Sequence, residues 1–183
     1  MRHLVHYPAM DDVTIGELTA AAAATRVDEL AGILRDSVAN GASVNFLADL
    51  TDGEAEGFWL GAIERQATGH QTLIVAQIGE RIVGTVVLAP APQPNQPHRA
   101  DVNKLLVHSS ARRRGIGAAL LEAVEAEAGR QGRTLLMLDT VKDSDGERLY
   151  VAHGWTRYGE VPGHALLPDG TPEATSFFYK LLG

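Results

Sequence analysis

A chain of 183 residues is long enough for one ordinary domain with a sizeable core and too short for two comfortable ones. Hydrophobic residues make up 45% of it, which is the globular range, and a formal net charge of −7 argues against a nucleic-acid partner, since phosphate binding draws on clustered Lys and Arg. Cysteine is absent, which excludes disulfides, thiolate metal sites and a cysteine nucleophile.

The first eight residues hold no apolar run suited to a signal peptide, and nothing later approaches the roughly 18 apolar residues that span a bilayer. The expectation is a cytoplasmic protein with no membrane partner. Residues 13–18 read as a weak strand, and residues 20–24, five alanines broken by nothing, are the one low-complexity stretch. Residues 25–39 place Val27, Leu30, Ile33 and Leu34 on one helical face, with Asn40 and Gly41 as the stop. An apolar-rich linker covers 41–47. Residues 52–66, with Phe58, Trp59, Ala62 and Ile63, read as a second helix capped by Thr51 or Asp52.

The middle of the chain changes period. Residues 72–78 and 82–89 are rich in β-branched side chains and flank Gly79-Glu80-Arg81, so a hairpin is expected. Four prolines in 90–97 make a surface loop. A strand at 102–108 is followed by a helical stripe of Ile116, Leu120, Leu121, Val124 and Ala128, a buried-type strand at 134–139 and a short helix at 145–152 closed by His153 and Gly154. Pro162, Gly163, Pro168, Gly170 and Pro172 predict a long loop over 161–175, before a last strand at 176–182. An antiparallel start followed by a parallel βαβ unit implies an α/β (α+β mixed) fold: one domain over 1–183, with a mixed, mostly antiparallel sheet and helices on both faces.

Chemistry concentrates in 102–121, where a strand runs through a loop into a helix. The first turn of a helix has free amides and a partial positive charge, and Gly115 and Gly117 let an anion approach the backbone closely. Arg112, Arg113 and Arg114 add fixed charge beside them. A nucleoside-triphosphate loop is excluded, because no Gly-x-x-x-x-Gly-Lys occurs. A dinucleotide fingerprint would find its acid in Asp139, but its third glycine is Leu120 and residues 109–114 interpose a long loop where a tight turn belongs. An ordinary strand-to-helix connection with surface arginines is the plain alternative. The remaining anion is the pyrophosphate of coenzyme A. Arg112-x-x-Gly115-x-Gly117, set between a Leu-Leu-Val strand and an amphipathic helix, resembles the acyl-CoA segment of the GCN5-related N-acetyltransferase superfamily, and the order of elements over most of the chain is similar to that fold.

Within the superfamily the chain is most similar to the tabtoxin-resistance type, which modifies an amino-acid-like antimetabolite. The matching stretches are Gly41-Ala42-Ser43-Val44-x-Phe46, Arg99-Ala100-Asp101-Val102-x-Lys104-Leu105, Ser110-Ala111-Arg112, Leu138-Asp139-Thr140, Gly159-Glu160-x-Pro162-Gly163 and Pro168-Asp169-Gly170. Position 101 departs from that type, which has an acid one methylene longer.

The resemblance implies acetyl-CoA as cofactor and free CoA as product. The backbone of Leu105, Leu106 and Val107 would pair with the pantetheine arm, an N–H near Leu106 or Val107 would face the thioester oxygen, and Arg112, Arg113, Arg114, Gly115, Ile116, Gly117 and Ala118 would hold the pyrophosphate. Tyr150, in Leu149-Tyr150-Val151-Ala152-His153-Gly154-Trp155, would point its hydroxyl at the CoA sulfur; a phenol of pKa about 10 stays protonated at neutral pH and can donate to a thiolate. Packing its helix on the sheet is the other role open to Tyr150. Asp101 begins the cofactor strand and Asp139 ends its parallel neighbour, so either can face the cleft and take an amine proton; solvated carboxylates, with water carrying the proton, are the alternative.

The segment 41–45 lacks the last glycine of a nucleophile elbow and follows a helix, so Ser43, Asn45 and Phe46 are assigned to the substrate-side wall. The seven histidines show no ligand spacing, and no metal is expected. Phe177 and Phe178 are expected to fill core and an oligomer contact, which allows a homodimer. Lacking cysteine, the chain would transfer the acetyl group directly to the amine of a small molecule, in antibiotic resistance or detoxification. Residues 41–47 and 161–175 would be lids. Acetylation of a protein or peptide amine, and non-catalytic CoA binding, are the rival readings.

Overall fold

The structure, a computed structural model, describes residues 5–6 and 12–183. Its strands are β1 (Val5–His6), β2 (Val13–Glu17), β3 (Thr72–Ile78), β4 (Arg81–Pro90), β5 (Arg99–Val107), β6 (Leu135–Val141), β7 (Thr156–Leu166) and β8 (Pro172–Leu181). The helices are α1 (Ala20–Ala24), α2 (Val27–Ala39), α3 (Asp52–Ala67), α4 (Ile116–Arg130) and α5 (Asp145–Ala152). All strands join one sheet in the order β1-β2-β3-β4-β5-β6-β8-β7, and every neighbouring pair is antiparallel except β5 and β6. The mixed sheet and its central parallel unit are as the sequence implied.

Local chemistry accounts for most boundaries. Ile78 pairs with Arg81 across Gly79 and Glu80, and Gly79 takes the positive φ of 58° that this tight hairpin demands. Thr51, not Asp52, caps α3: its hydroxyl accepts from the Glu54 amide while the Glu54 carboxylate accepts from the Thr51 amide, a capping box. The alanine run forms α1, capped by Thr19.

Two apolar clusters flank the sheet. On one face, Ile116, Leu120, Leu121, Val124 and Ala128 of α4 bury against Val102, Leu136, Leu138 and Phe178. On the other, Leu30, Ile33, Leu34, Trp59 and Ile63 of α2 and α3 bury against Leu73, Val75, Ile82, Val87 and Leu106. Gly84 lets α4 seat closely, because a Cβ there would lie 2.9 Å from Leu120 Cδ1 and 3.1 Å from the Leu106 carbonyl oxygen. Among the described residues no helix is long and apolar enough to cross a membrane.

The predicted loop over 161–175 is a correction. Most of it lies in the β7–β8 hairpin, whose connection is only residues 167–171. Pro162 and Gly163 fall where the register shifts between Val161 and Ala165 on β7, an edge strand, and Pro172 opens β8. Proline is tolerated at edges, bulges and first strand positions because no ladder donor is needed there.

Candidate active site

β5 and β6 pair over three residues only, Arg99 with Leu135, Ala100 with Leu136 and Asp101 with Met137. Beyond Asp101 the ladder between β4 and β5 slips by one residue, since Val87 faces Asn103 but Thr85 faces Leu106. Lys104 absorbs the extra residue in a left-handed conformation, φ 50°. A bulge bends its strand, so β5 stays with β4 while β6 departs, and among the described residues the β6-facing edge of 102–107 has no strand partner.

A cleft of about 700 Å³ occupies this wedge. Leu105, Leu106 and Val107 form one wall; Arg112, Arg113, Gly115, Ile116, Gly117 and Ala118 form its floor; Thr140, Leu149 and Tyr150 form the opposite wall. Gly115, φ 79°, precedes α4 without any side-chain cap, and the first turn of α4 holds no acid. Uncapped amides and an unopposed helix dipole make that end attractive to an anion. Gly117 is not required by backbone geometry, for it has no positive φ, nor by protein packing, for a Cβ would meet only Leu149 Cδ2 at 3.5 Å and Val107 Cγ2 at 4.0 Å. Val107 and Leu149 both line the cleft, so the missing methyl leaves space beside its wall.

The three arginines divide. Arg112 donates from Nε to the Val107 carbonyl at 3.0 Å and lies 3.9 Å from Asp36. Arg113 is exposed, 3.6 Å from Asp145. Arg114 does not line the cleft and pairs with Asp12 at 2.6 Å. Sequence reasoning missed Asp36, which ties α2 to the loop before α4: it accepts from the Ser109 amide at 2.7 Å and the Ser109 hydroxyl at 2.6 Å. Burial pushes its carboxyl up, but the bonds from Ser109 and the charges of His108 and Arg112 hold it below the ordinary value. No sequence signal links residues 73 apart.

Tyr150 reaches the cleft from α5, which Ser144 caps by accepting from the Glu147 amide at 3.1 Å. Gly146 brings that helix against β6, where a Cβ would stand 3.0 Å from Thr140 Oγ1. Trp155 and Phe178 flank the ring at 5.9 and 6.1 Å between centroids. Burial, and then the charge of Asp139, push the phenol well above its ordinary value, so it is protonated at neutral pH.

Asp101 and Asp139 do not line the cleft. Ala100, Val102, Leu136 and Leu138 point to the α4 side, so alternation turns Asp101, Met137 and Asp139 to the α2–α3 side, in register with Tyr179 and Phe177 of β8. The acids are brought together there. Burial raises the Asp101 carboxyl, which Arg99 opposes and Asp139 reinforces. Lys104, which the sequence placed in a matching stretch without a role, joins them: burial lowers its ammonium below the ordinary value against the pull of Asp139. Asp139 thus acts on Asp101 and Lys104 on one side and on Tyr150 on the other.

Of the substrate-side residues, Ser43 lines the cleft and donates to the Leu166 carbonyl at 2.8 Å. Asn45, φ 73°, and Phe46 do not line it; Phe46 packs edge-on against Phe58 at 5.6 Å. The Ala48 amide also donates to the Pro168 carbonyl at 2.9 Å, so the two predicted lids are bonded to each other. Phe178 is fully buried, while Phe177 keeps to a surface group with Tyr158 and His164. Among the described residues no cluster of His, Asp or Glu could hold a metal ion.

The model of a family described as the acetyltransferase (GNAT) family matches residues 37–155. Solved structures share the fold. A ribosomal-protein-alanine N-acetyltransferase from Brucella melitensis has a TM-score of 0.75 at 24% identity, over 92% of this chain and 99% of that one. The protein yncA from Salmonella typhimurium, solved with its cofactor acetyl-CoA, has a TM-score of 0.76 at 17% identity, over 94% and 95%. A GCN5-related N-acetyltransferase from Kribbella flavida has a TM-score of 0.76 at 21% identity, over 94% and 99%.

Proposed function

Because the chain belongs to the acetyltransferase (GNAT) family, we propose that it moves the acetyl group of acetyl-CoA directly onto the amine of a small molecule, acting in the cytoplasm as one catalytic domain. The observation that carries this reading is the wedge between β5 and β6, which combines an unpaired strand edge, an uncapped helix N-terminus and a buried phenol on facing walls. The space left by Gly117 fits a group pressed against the backbone, and the roughly 700 Å³ of the cleft fits an elongated cofactor arm.

In this reading the edge of Leu105, Leu106 and Val107 holds the pantetheine amides, and the amides of 115–118 with Arg112 and Arg113 hold the pyrophosphate. Acetyl-CoA supplies an acyl group already activated as a thioester. One amide of Leu106 or Val107 orients the thioester oxygen. Tyr150 holds a proton at its hydroxyl and gives it to the leaving sulfur. Asp139, or Asp101 beside it, takes the proton that the ammonium of the acceptor must lose before its nitrogen can attack. Overall one C–N bond forms, one C–S bond breaks, and one proton is released.

The absence of cysteine excludes an acyl-cysteine intermediate, which supports direct transfer. The bonds from Ser43 to Leu166 and from Ala48 to Pro168 support a small acceptor over a protein chain, because they join the α2–α3 linker to the β7–β8 tip beside the site. Detoxification of an antibiotic or antimetabolite is the use that this acceptor class suggests. Thermal melts test the reading: acetyl-CoA at about a hundred times its Kd adds about 2.7 kcal/mol, and NAD adds nothing. Absence of any shift with acetyl-CoA would sink it.

A further inference from the structure

Lys104 takes no part in the steps above. It occupies the bulge with φ 50°, a conformation unusual for a lysine. Its side chain reaches α3 and sets its ammonium 5.2 Å from the centroid of the Phe58 ring. Among the described residues no carboxylate pairs with this ammonium and no oxygen accepts from it. The nearby acids are otherwise engaged or too far to bond: Asp101 is paired with Arg99 at 3.2 Å, and Asp139 acts on Lys104 only through space.

A half-buried ammonium has lost part of its hydration; the Phe58 ring attracts the charge but offers no oxygen to its three donors, which are left without hydrogen bonds. The same sheet face carries Asp101 and Asp139, the acids that would receive the proton of the acceptor, with Phe58 and Phe46 on one side and Phe177 and Tyr179 on the other. An amine brought to the carboxylates therefore arrives beside a fixed, unmatched cation. A bare alkylamine or a polyamine gains nothing from that cation and is repelled by it. An amine that bears its own acid satisfies it.

We propose that Lys104 is a specificity-determining residue that binds a carboxylate carried by the acceptor close to its amine. The favoured acceptors are then amino-acid-like zwitterions. This rests on the acetyl-transfer reading and narrows its substrate class. A charge-assisted hydrogen bond at a partly buried site changes binding by about ten- to a hundredfold.

The test is kcat/KM, followed by release of free CoA, for a panel of α-amino acids beside their carboxamides and decarboxylated amines. Wild type should prefer the acids about ten- to a hundredfold. In Lys104→Met the acid-to-amide ratio should collapse towards one through a raised KM for the acids, and Lys104→Arg should restore part of it. An unchanged ratio in Lys104→Met overturns the proposal, as does a wild-type panel in which no acid-bearing amine is acetylated or only amides and simple amines are. Melts with acetyl-CoA separate the two levels. Full stabilisation without acid preference removes the role of Lys104 alone, and no stabilisation removes the reading beneath it.

Discussion

Replacing Gly117 with alanine should push stability and cofactor affinity in opposite directions. Gly117 lies in the first turn of α4 without a positive φ, so alanine loses less backbone freedom on folding and should stabilise the helix by about 0.5–1 kcal/mol. Among the described residues the new methyl meets no atom closer than 3.5 Å, so packing does not cancel that gain. For a chain of this size the melting temperature without ligand should rise by about 1–4 °C. The methyl nevertheless stands between Val107 and Leu149, where the cofactor would press on the backbone. Overfilling of a fitted site costs about 1–3 kcal/mol, which is about five- to 150-fold in Kd. Melts with and without acetyl-CoA read both terms. Gly115→Ala is the contrast, because Gly115 holds φ 79° and alanine there should cost about 1–2 kcal/mol of stability. A Gly117→Ala protein that binds acetyl-CoA like wild type would show that no ligand approaches this backbone, and one that melts lower would show that the glycine serves the helix itself.

Tyr150→Phe should lower turnover by about a hundredfold or more while the acetyl-CoA melting shift survives, since only a proton donor is removed; unchanged turnover would return Tyr150 to packing. Its phenol is raised by burial and by Asp139, so the unfolded chain ionises it first: the stability linked to it is fully present below a pH of about 10 and is lost as pH rises beyond it. Melts from pH 8 to 11 should therefore fall less steeply in Tyr150→Phe than in wild type. Gly84→Ala should cost about 1–3 kcal/mol in urea unfolding, because its methyl would strike Leu120 and the Leu106 carbonyl. Asp36→Ala should cost about 1–3 kcal/mol and raise the KM for acetyl-CoA, because the two bonds from Ser109 hold the loop before α4 to α2.

Helices with a one-face stripe and the hairpin at Gly79 were legible because each depends on neighbours within a few residues. The loop that leads into α4 was legible for the same reason: glycines, arginines and a helix start occur together. Residues 161–175 were misread because proline and glycine density says that a segment cannot be a central strand, while whether it lies at an edge is decided by β8 and β6. Asp101 and Asp139 were placed correctly at their strands but on the wrong side of them. Alternation of Ala100 and Val102 with Asp101 and Asn103 separates the two faces, but both faces are covered by helices, and only the packing of α4 decides that the apolar pair turns to it. Phe46 and Asn45 illustrate the reverse limit, because only the packing of α3 decides that Phe46 turns to Phe58.

One residue makes β5 serve two purposes. A strand of strict alternation would carry Asp101, Asn103, Leu105 and Val107 on one face and could not move from the acid side to the cofactor side within three residues. The extra residue at the bulge breaks that parity: Leu106 then packs towards α2 and α3, and the Val107 side chain closes on Gly117. It also bends the strand away from β6, which opens the cleft, and swings Lys104 out over Phe58. Removing it would shift the register by one and exchange the faces of every residue beyond. The left-handed strain at Lys104, of the order of 1 kcal/mol, is thus small beside what depends on it, since the cleft wall and the position of the unmatched ammonium come from the same turn of the backbone.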